Sequence, residues 1–275
     1  MWLLNGESRH CIDASDRGFQ YGDGLFETAE VVDGKPLFWQ RHLRRLALGC
    51  EALSIPCPDF ALLEREARQL SMGAERAVLK LIVTRGSGGR GYRPPQHVSP
   101  TRLFSLHPYP EYPAELQVEG IRLRLCQRRL SINPGLARIK HLNRLEQVLA
   151  RAEWQDDDVH EGVMLDPQGH VIEGTMSNLF WVRDAVLRTP TLENCGIAGI
   201  VRALVIELAT AAGISVCEET ASLDGLLAAD EVFMTNSVIG IWPVANLEQQ
   251  AFKLGSATRR LQQLYAEARA MEVAA

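Results

Sequence analysis

The stretch His107-Pro108-Tyr109-Pro110-Glu111-Tyr112-Pro113 divides this chain of 275 residues and decides how its fold is organised. Proline fixes one backbone torsion and removes a hydrogen-bond donor, so this run excludes regular structure and favours an extended connector. We therefore predict a small N-terminal domain over residues 1–107, a linker over residues 108–117 and a larger C-terminal domain over residues 118–275. A chain of this length has room for two modest domains.

Strands and helices are both indicated on either side of the connector. Before it, a strand-like run over residues 25–32 is closed by the turn signal Asp33-Gly34. Apolar spacing predicts helices over residues 39–53 and from 60 to about 72, and the apolar run 77–84 predicts a buried strand. After it, residues 163–165 and 171–173 form a hairpin through the turn Asp166-Pro167-Gln168-Gly169.

The composition limits the classes of partner and site. The chain carries 29 basic and 34 acidic residues, a net charge of −5, which argues against bulk attraction to nucleic acid or an anionic membrane. Its six cysteines include no C-x-x-C pair and no matching histidine set, so we expect neither a metal site nor a disulfide framework. Without a secretory leader or a run of membrane-spanning length, we predict a reduced, cytoplasmic, soluble protein.

Lys140 lies in Leu136-Ala137-Arg138-Ile139-Lys140-His141-Leu142-Asn143-Arg144-Leu145, just after the break Asn133-Pro134-Gly135. A helix is predicted to follow by apolar residues at helical spacing, namely Leu142, Leu145, Val148, Leu149 and Ala152. Lys140 would then lie at or just before the positive end of that helix, which favours a neutral amine over an ammonium. A neutral lysine is the nucleophile that forms Schiff bases with aldehydes. The alternative is an ordinary solvated lysine.

The strongest phosphate signal is Gly196-Ile197-Ala198-Gly199-Ile200-Val201-Arg202, which leads into a predicted helix. Glycines ahead of a helix let backbone N–H groups approach an anion, and the free amides at a helix start favour phosphate. An ordinary loop-to-helix junction is the alternative. Elsewhere, Thr235-Asn236-Ser237 follows a predicted strand and offers hydroxyl and amide groups to ligand oxygens.

The glycine run Gly86-Ser87-Gly88-Gly89-Arg90-Gly91 is not a nucleotide-binding loop, because Tyr92-Arg93-Pro94-Pro95 cannot begin the helix that such a site requires. We expect a flexible loop whose Arg85, Arg90 and Arg93 suit substrate carboxylates, or else a solvated basic loop. Glu173 ends the hairpin strand, where a carboxylate can pair with a protonated ring nitrogen or simply belong to a turn.

Together these motifs resemble the fold-type IV pyridoxal-phosphate enzymes, which include branched-chain aminotransferases, D-amino acid aminotransferases and aminodeoxychorismate lyases. The matching elements follow the family order along nearly the whole chain: Phe19-Gln20-Tyr21-Gly22-Asp23-Gly24, His42-x-x-Arg45-Leu46, the lysine segment, Glu173-Gly174 with Ser177-Asn178-Leu179-Phe180, Gly199-Ile200-x-Arg202, and Ala229-Asp230-Glu231-Val232. The resemblance implies a mixed α/β, α+β fold of two domains with a β-barrel-like core in the larger one. It also implies a homodimer and pyridoxal 5'-phosphate as cofactor.

The same resemblance implies the roles of individual residues. Lys140 would be the catalytic residue and would hold the cofactor as a Schiff base, and Glu173 would pair with the pyridine nitrogen. The cofactor phosphate would be held by Arg45, the amides of Ile200 and Val201, and Ser237, and the predicted cofactor site also includes Asn178 and Asn236.

Two stretches, residues 139–151 and 84–92, are similar to the lyase branch of this family. D-amino acid aminotransferases clamp the substrate carboxylate with a tyrosine, an arginine and a histidine; Arg90 matches the arginine, but Phe26 and Tyr92 replace the other two. The predicted substrate residues are Phe26, Thr28, Arg90 and Tyr92. The resemblance thus implies conversion of 4-amino-4-deoxychorismate into 4-aminobenzoate and pyruvate for folate synthesis. The alternatives are a D-amino acid or branched-chain aminotransferase and a non-catalytic phosphate-ligand binding protein.

Overall fold

The chain divides into two compact units in the computed structural model, which describes residues 1–274. Unit 1 comprises Met1–Pro110, the segment Ile139–Asn143 and the end of the chain from Glu272 onward, and unit 2 comprises Glu111–Arg138 and Arg144–Met271. The first division falls inside the predicted linker 108–117. The lysine segment groups with unit 1, although the sequence prediction assigned it to the domain 118–275, whose last residue Ala275 lies outside the described residues.

Unit 1 is built on an antiparallel sheet covered by helices. Its strands are β1 (Trp2–Leu4), β2 (Gly24–Val32), β3 (Lys35–Pro36), β4 (Arg76–Thr84) and β5 (Thr101–Pro108), and its helices are α1 (Arg17–Tyr21), α2 (Trp39–Leu53) and α3 (Phe60–Ser71). The sheet order is β1-β5-β4-β2-β3, with every pairing antiparallel. These bounds confirm the predicted strands and helices of this part of the chain to within one residue.

Alternation along β2 decides which of its side chains are buried. Leu25, Ala29 and Val31 are almost inaccessible to solvent and lie on the face of the strand that α2 covers. Glu27 points to the same face of the strand and is 1% exposed, so a carboxylate is buried among apolar side chains. The helix α2 supplies the groups that make this possible.

Unit 2 is dominated by strands. These are β6 (Ile121–Arg129), β7 (Glu161–Leu165), β8 (Val171–Gly174), β9 (Asn178–Arg183), β10 (Val186–Pro190), β11 (Val216–Glu219), β12 (Glu231–Asn236), β13 (Gly240–Leu247) and β14 (Gln250–Ala251). Its helices are α4 (Glu115–Val118), α5 (Leu145–Arg151), α6 (Ile200–Ala211), α7 (Leu223–Leu227) and α8 (Ser256–Ala274), the last of which ends in the terminal segment of unit 1.

Six strands of the described chain close into a barrel, in the order β9-β12-β13-β6-β7-β8 and back to β9. Closure removes the free edges that an open sheet would expose. Trp181, Met234 and Val244 belong to its apolar core cluster, and Phe180 stacks on Phe233 with ring centroids 5.0 Å apart. The closed barrel confirms the predicted mixed α/β fold with a barrel-like core, and β7 and β8 confirm the predicted hairpin.

The predicted helix after Lys140 differs from the observed one. Helix α5 begins only at Leu145, and three of the apolar residues whose spacing predicted it are largely exposed: Leu145 is 75%, Val148 59% and Leu149 47% accessible. The helix packs on β6 and β7 through its opposite side, where Gln147 and Ala150 are buried. The apolar residues at helical spacing therefore form a solvent-exposed face of α5 in this chain.

Residues 1–274 show neither a membrane-spanning helix nor a group of metal-binding side chains. In that part of the chain, no helix combines the length and the apolar character that crossing a membrane demands. The same residues contain no group of three or more histidine, cysteine, aspartate and glutamate side chains arranged to hold a metal ion.

Candidate functional site

Lys140 lies on an extended segment that is hydrogen-bonded to β2. The Phe26 N–H donates to the Lys140 carbonyl at 2.9 Å, and the Leu142 N–H donates to the Gly24 carbonyl at 3.0 Å. This pairing directs the lysine side chain over Phe26, with Nζ 4.3 Å from the ring centroid. The amine is therefore placed by the sheet of unit 1, on the same strand that carries Glu27 and Thr28.

This geometry corrects the reason given for the reactivity of Lys140. The helix dipole acts mainly within the first and last turn of a helix. Lys140 lies five residues before α5 begins and belongs to the extended segment rather than to a helix start. The amine lies instead over the ring of Phe26, a residue of β2.

Glu27, His42 and Arg45 form a buried cluster between β2 and α2. His42 and Arg45 are three residues apart in the helix, so their side chains emerge on one face. The Glu27 carboxylate accepts from Arg45 Nε at 2.9 Å and from Arg45 Nη2, and its Oε2 lies 2.7 Å from His42 Nδ1. His42 is fully buried and the Arg45 side chain is 10% exposed.

The charges of this cluster follow from burial and pairing. Burial by itself would raise the pKa of Glu27, but the Arg45 guanidinium and the His42 hydrogen bond outweigh it and lower the pKa to about 2. Burial also lowers the pKa of His42, against the opposing effect of Glu27. We infer that His42 is neutral near pH 7 and donates from Nδ1 to Glu27, so that the ion pair is the one between Glu27 and Arg45.

Glu173 is a buried carboxylate of unit 2, located where β8 meets β9. It is 3% exposed, and its Oε2 accepts from the Ile197 N–H at 2.8 Å and from Asn178 Nδ2 at 3.4 Å. Asn178 Nδ2 also donates to the Ile197 carbonyl at 2.8 Å. One asparagine thus ties the strand end to the loop that precedes α6.

The loop 196–199 leads into α6, and no described side chain caps the first backbone N–H groups of that helix. Gly199 is the N-cap residue, and Ile200 and Val201 follow as the first helical residues. A Cβ built on Gly199 would lie 1.9 Å from Asn178 Oδ1, so only glycine fits beside this asparagine. The predicted loop-to-helix start is confirmed, and its free N–H groups can receive an anion.

A second buried carboxylate shapes the neighbouring turn. Glu161 is 2% exposed and accepts from Thr175 Oγ1 at 2.5 Å, Ser177 Oγ at 2.6 Å and the Met176 N–H at 3.1 Å. Asn236 in turn donates from Nδ2 to the Met176 carbonyl at 3.2 Å. The loop between β8 and β9 is therefore held from two sides.

Asn236 is the last residue of β12 and Ser237 follows it, but the two side chains have different surroundings. Asn236 Oδ1 accepts from the N–H groups of Val238 and Ile239, at 2.8 and 2.9 Å. The amide group thereby shapes the turn in which Ser237 lies. Just before it, Thr235 Oγ1 is buried without a hydrogen-bond partner among the described residues.

The arginine loop of unit 1 differs from its prediction. Arg85 was expected to meet substrate carboxylates, but it is 6% exposed and donates to both Asp23 oxygens and to the carbonyls of Leu53 and Ser54. That expectation was wrong, because a buried guanidinium is held by internal acceptors. Arg90 and Tyr92 are exposed at the loop, with Tyr92 86% accessible.

Sequence reasoning assigned no role to Glu27 or Glu161, and the signal for both was available. Each is an acidic residue at a position whose neighbours two residues along the strand are buried and apolar: Ala29 beyond Glu27, and Val163 beyond Glu161. An acidic residue at such parity indicates a paired, buried carboxylate. The partners are invisible locally, since Glu27 is bound by α2 and Glu161 by the loop after β8.

The chain is similar to known proteins in family, sequence and structure. A family model described as amino-transferase class IV matches residues 24–247. The aminodeoxychorismate lyase of Vibrio harveyi is 40% identical over 266 residues, which is 95% of this chain and 98% of the relative. A crystal structure of 4-amino-4-deoxychorismate lyase from Pseudomonas aeruginosa superposes with a TM-score of 0.94 at 45% identity, covering 97% of this chain and 98% of that one. The branched-chain aminotransferase of Escherichia coli gives 0.86 at 27% identity, over 98% and 95% of the two chains.

Proposed function

Because this chain belongs to the class IV aminotransferase family, we propose that it is a pyridoxal-phosphate-dependent lyase that converts 4-amino-4-deoxychorismate into 4-aminobenzoate and pyruvate, a step of folate synthesis. The named lyase relatives reach 40% and 45% identity over nearly the full chain, whereas the aminotransferase compared above reaches 27%. The difference favours elimination over transamination.

The residues present fit the cofactor. An anionic phosphate suits the uncapped amides of Ile200 and Val201 beside Gly199, where any side chain would collide with Asn178. A carboxylate as buried as Glu173 suits a cationic ring N–H as its partner. We propose that these amides and Ser237 hold the phosphate, and the phosphate role that the family resemblance gives to Arg45 stays a prediction.

Other predicted residues take supporting roles in this proposal. Asn178 would fix Glu173 and the loop before α6, and Asn236 would shape the turn of Ser237 rather than bind phosphate itself, since both ends of its amide already have partners. The substrate would meet Phe26, Thr28, Arg90 and Tyr92.

Lys140 performs the proton transfers in this mechanism. When bound, pyridoxal phosphate supplies an aldehyde carbon for Schiff-base formation and a ring that withdraws electrons from the substrate carbon bearing the amine. The Lys140 amine removes the proton from that ring carbon of the substrate. It then returns a proton to the departing enolpyruvyl oxygen as the carbon–oxygen bond breaks. The ring becomes the aromatic 4-aminobenzoate and the released enol tautomerises to pyruvate, so aromaticity provides the driving force.

The observation that carries the proposal is the placement of Lys140. Its segment is fixed to β2 by two hydrogen bonds, one at the Lys140 carbonyl and one at the Leu142 N–H, and its amine lies over the Phe26 ring, 4.3 Å from the centroid. A fixed amine can meet a bound substrate in one geometry, which is worth several orders of magnitude in rate. The ring of Phe26 supplies no hydroxyl at the position where D-amino acid aminotransferases use a tyrosine.

The test is to incubate purified protein and pyridoxal phosphate with 4-amino-4-deoxychorismate and to measure release of 4-aminobenzoate and pyruvate. Borohydride reduction should label Lys140, and Lys140→Ala should lower the rate at least about a thousandfold. Lys80→Ala is the matched control, because Lys80 Nζ lies over the same ring at 5.4 Å and has no assigned role. A keto acid formed from D-alanine or a branched-chain amino acid, without 4-aminobenzoate, would identify an aminotransferase instead.

We also propose that the protein is a cytoplasmic homodimer. The exposed face of α5, formed by Leu145, Val148 and Leu149, supports a subunit interface, because contiguous apolar surface favours association. Light scattering after size exclusion should give twice the mass of 30.6 kDa for the chain. Val148→Glu with Leu149→Glu should shift it toward the monomer. A wild-type monomer would contradict the assembly and leave the proposed reaction open to its own assay.

A further inference from the structure

Arg17 is a buried arginine that has no role in the proposed reaction. It begins α1, is 3% exposed, and donates from all three guanidinium nitrogens. Nε reaches Asp23 Oδ2 at 2.9 Å, Nη1 reaches the Gly91 carbonyl at 2.9 Å and Nη2 reaches the Tyr92 carbonyl at 3.2 Å. Two of its three donors are therefore committed to the backbone immediately after Arg90.

The same helix holds the loop at further points. The Arg17 N–H donates to the Gly86 carbonyl at 2.9 Å, at the other end of the glycine run. Tyr21, one turn along α1, accepts at its hydroxyl from the Gly91 N–H at 3.2 Å. Its ring lies edge-on to Tyr92 with centroids 5.6 Å apart, and the Arg17 guanidinium lies 4.9 Å from its centroid.

These contacts decide the conformation of a segment that its own composition leaves undefined. Glycine has the largest backbone freedom of any residue, so the run 86–91 loses much entropy when it is fixed. Gly91 has a positive φ of 85°, and a Cβ there would meet no atom within 4 Å, so its conformation is set by hydrogen bonds rather than by packing. The expected flexible loop is thus anchored on both sides of Arg90 while the Arg90 side chain stays exposed.

We propose that Arg17 is a positioning residue that fixes this loop and thereby presents Arg90 to a substrate carboxylate. The substrate half of this inference rests on the proposed function, whereas the loop half rests only on the contacts above. Asp23 stabilises the arrangement: burial would raise its pKa, but Arg85 and Arg17 lower it, so the carboxylate stays charged. A neutral side chain at position 17 would leave both loop carbonyls without their donors.

Arg85 provides a matched control. It is similarly buried and shares the Asp23 carboxylate with Arg17, but its remaining donors reach Leu53 and Ser54 at the end of α2 instead of the loop. Arg85→Gln therefore removes a comparable buried ion pair without removing a bond to Gly91 or Tyr92. Tyr21→Phe is a milder second variant, which deletes only the hydroxyl that accepts from Gly91.

Trypsin cleavage measures the mobility of the loop, because trypsin can cut after Arg90. The bond after Arg93 precedes proline and resists the enzyme. We expect Arg17→Gln to raise the initial rate of cleavage at Arg90–Gly91 in the holoenzyme at least about tenfold, and Tyr21→Phe a fewfold. Arg85→Gln should stay within about twofold of wild type. If Arg17→Gln does not fold, Tyr21→Phe alone decides this part, and cleavage at the wild-type rate overturns the proposal.

Kinetics then test the link to Arg90. Arg17→Gln should raise KM for 4-amino-4-deoxychorismate about tenfold with little change in kcat or in cofactor absorbance, and should add nothing in a background of Arg90→Gln. An unchanged KM in Arg17→Gln, where Arg90→Gln raises it, overturns the positioning role. If wild type releases no 4-aminobenzoate, the proposed function fails, while the proteolysis result still supports or overturns the anchoring of the loop.

Discussion

The buried cluster behind β2 yields a quantitative prediction for Glu27→Gln. Glu27 is 1% exposed, and its pKa falls from the ordinary 4.5 to about 2. That difference corresponds to roughly 3 kcal/mol of folding free energy at neutral pH. The amide keeps the shape of the side chain but removes its charge and leaves the Arg45 guanidinium without its carboxylate. We therefore expect the free energy of unfolding to fall by about 3 kcal/mol at pH 7.

The loss must also depend on pH in a defined direction. A carboxyl group whose pKa is lowered by folding contributes its full stability above the unfolded pKa, and loses it as the pH falls through the folded value. For Glu27 that window runs from 4.5 down to about 2. Near pH 3.5 the difference between wild type and Glu27→Gln should have shrunk to roughly 2 kcal/mol.

Urea unfolding of the cofactor-free protein, followed by circular dichroism at both pH values, measures the effect. Glu30→Gln is the control in the same strand: Glu30 is also buried, but its partner Arg76 is half exposed, at 51%. Solvent screens the exposed guanidinium, so the pair of Glu30 with Arg76 should contribute less to stability than the pair of Glu27 with Arg45. Equal losses in Glu27→Gln and Glu30→Gln, or a loss for Glu27→Gln that does not change with pH, would refute the account of the cluster.

Two further predictions concern pH and cofactor affinity. Burial lowers the pKa of His42, so below about pH 6.5 the unfolded chain binds a proton at this residue that the folded protein does not. The free energy of unfolding should therefore fall as the pH is lowered from 7.5 to 5.5. His42→Gln should flatten that decline in urea titrations, and an unchanged slope would contradict the prediction. Gly199→Ala should weaken pyridoxal-phosphate binding at least tenfold in an absorbance titration, because its Cβ would lie 1.9 Å from Asn178 Oδ1. Gly225→Ala, whose nearest contact is 3.7 Å, should bind normally, and equal affinities for both variants would count against the cradle at α6.

The local elements were largely predictable from the sequence. A strand-like run closed by a turn signal predicted β2, helical spacing predicted α2 and α3, and an apolar run predicted β4, each to within one residue. The hairpin of β7 and β8 followed from its turn residues. Closure of the barrel was different: it depends on pairing of β9 with both β8 and β12, and it entered only through the family resemblance.

The groups of the candidate site could be proposed from the sequence, but their connections could not. Glycine placement predicted the start of α6, whereas the end of the hairpin strand left Glu173 as either a ring partner or a turn residue, and the structure adds that Asn178 joins the two. The arginine loop shows the limit. Arg85 and Arg90 are equivalent in sequence, yet one is buried against Asp23 and the other exposed, because the acceptors for Arg85 come from the end of α2.

Lys140 shows how an assignment can rest on a physical reason that the structure does not support. Apolar spacing in residues 142–152 predicted a helix whose start would keep the amine neutral, but Leu145, Val148 and Leu149 are exposed and the helix begins too late to act on Lys140. Periodicity records that a face is apolar, and it does not record what covers that face. The amine is placed by the backbone pairing of its segment with β2, a strand that lies more than a hundred residues earlier in the chain. The position of the Lys140 amine is therefore a property of the sheet of unit 1, so changes to the pairing of Gly24 and Phe26 bear on Lys140 more directly than changes to α5.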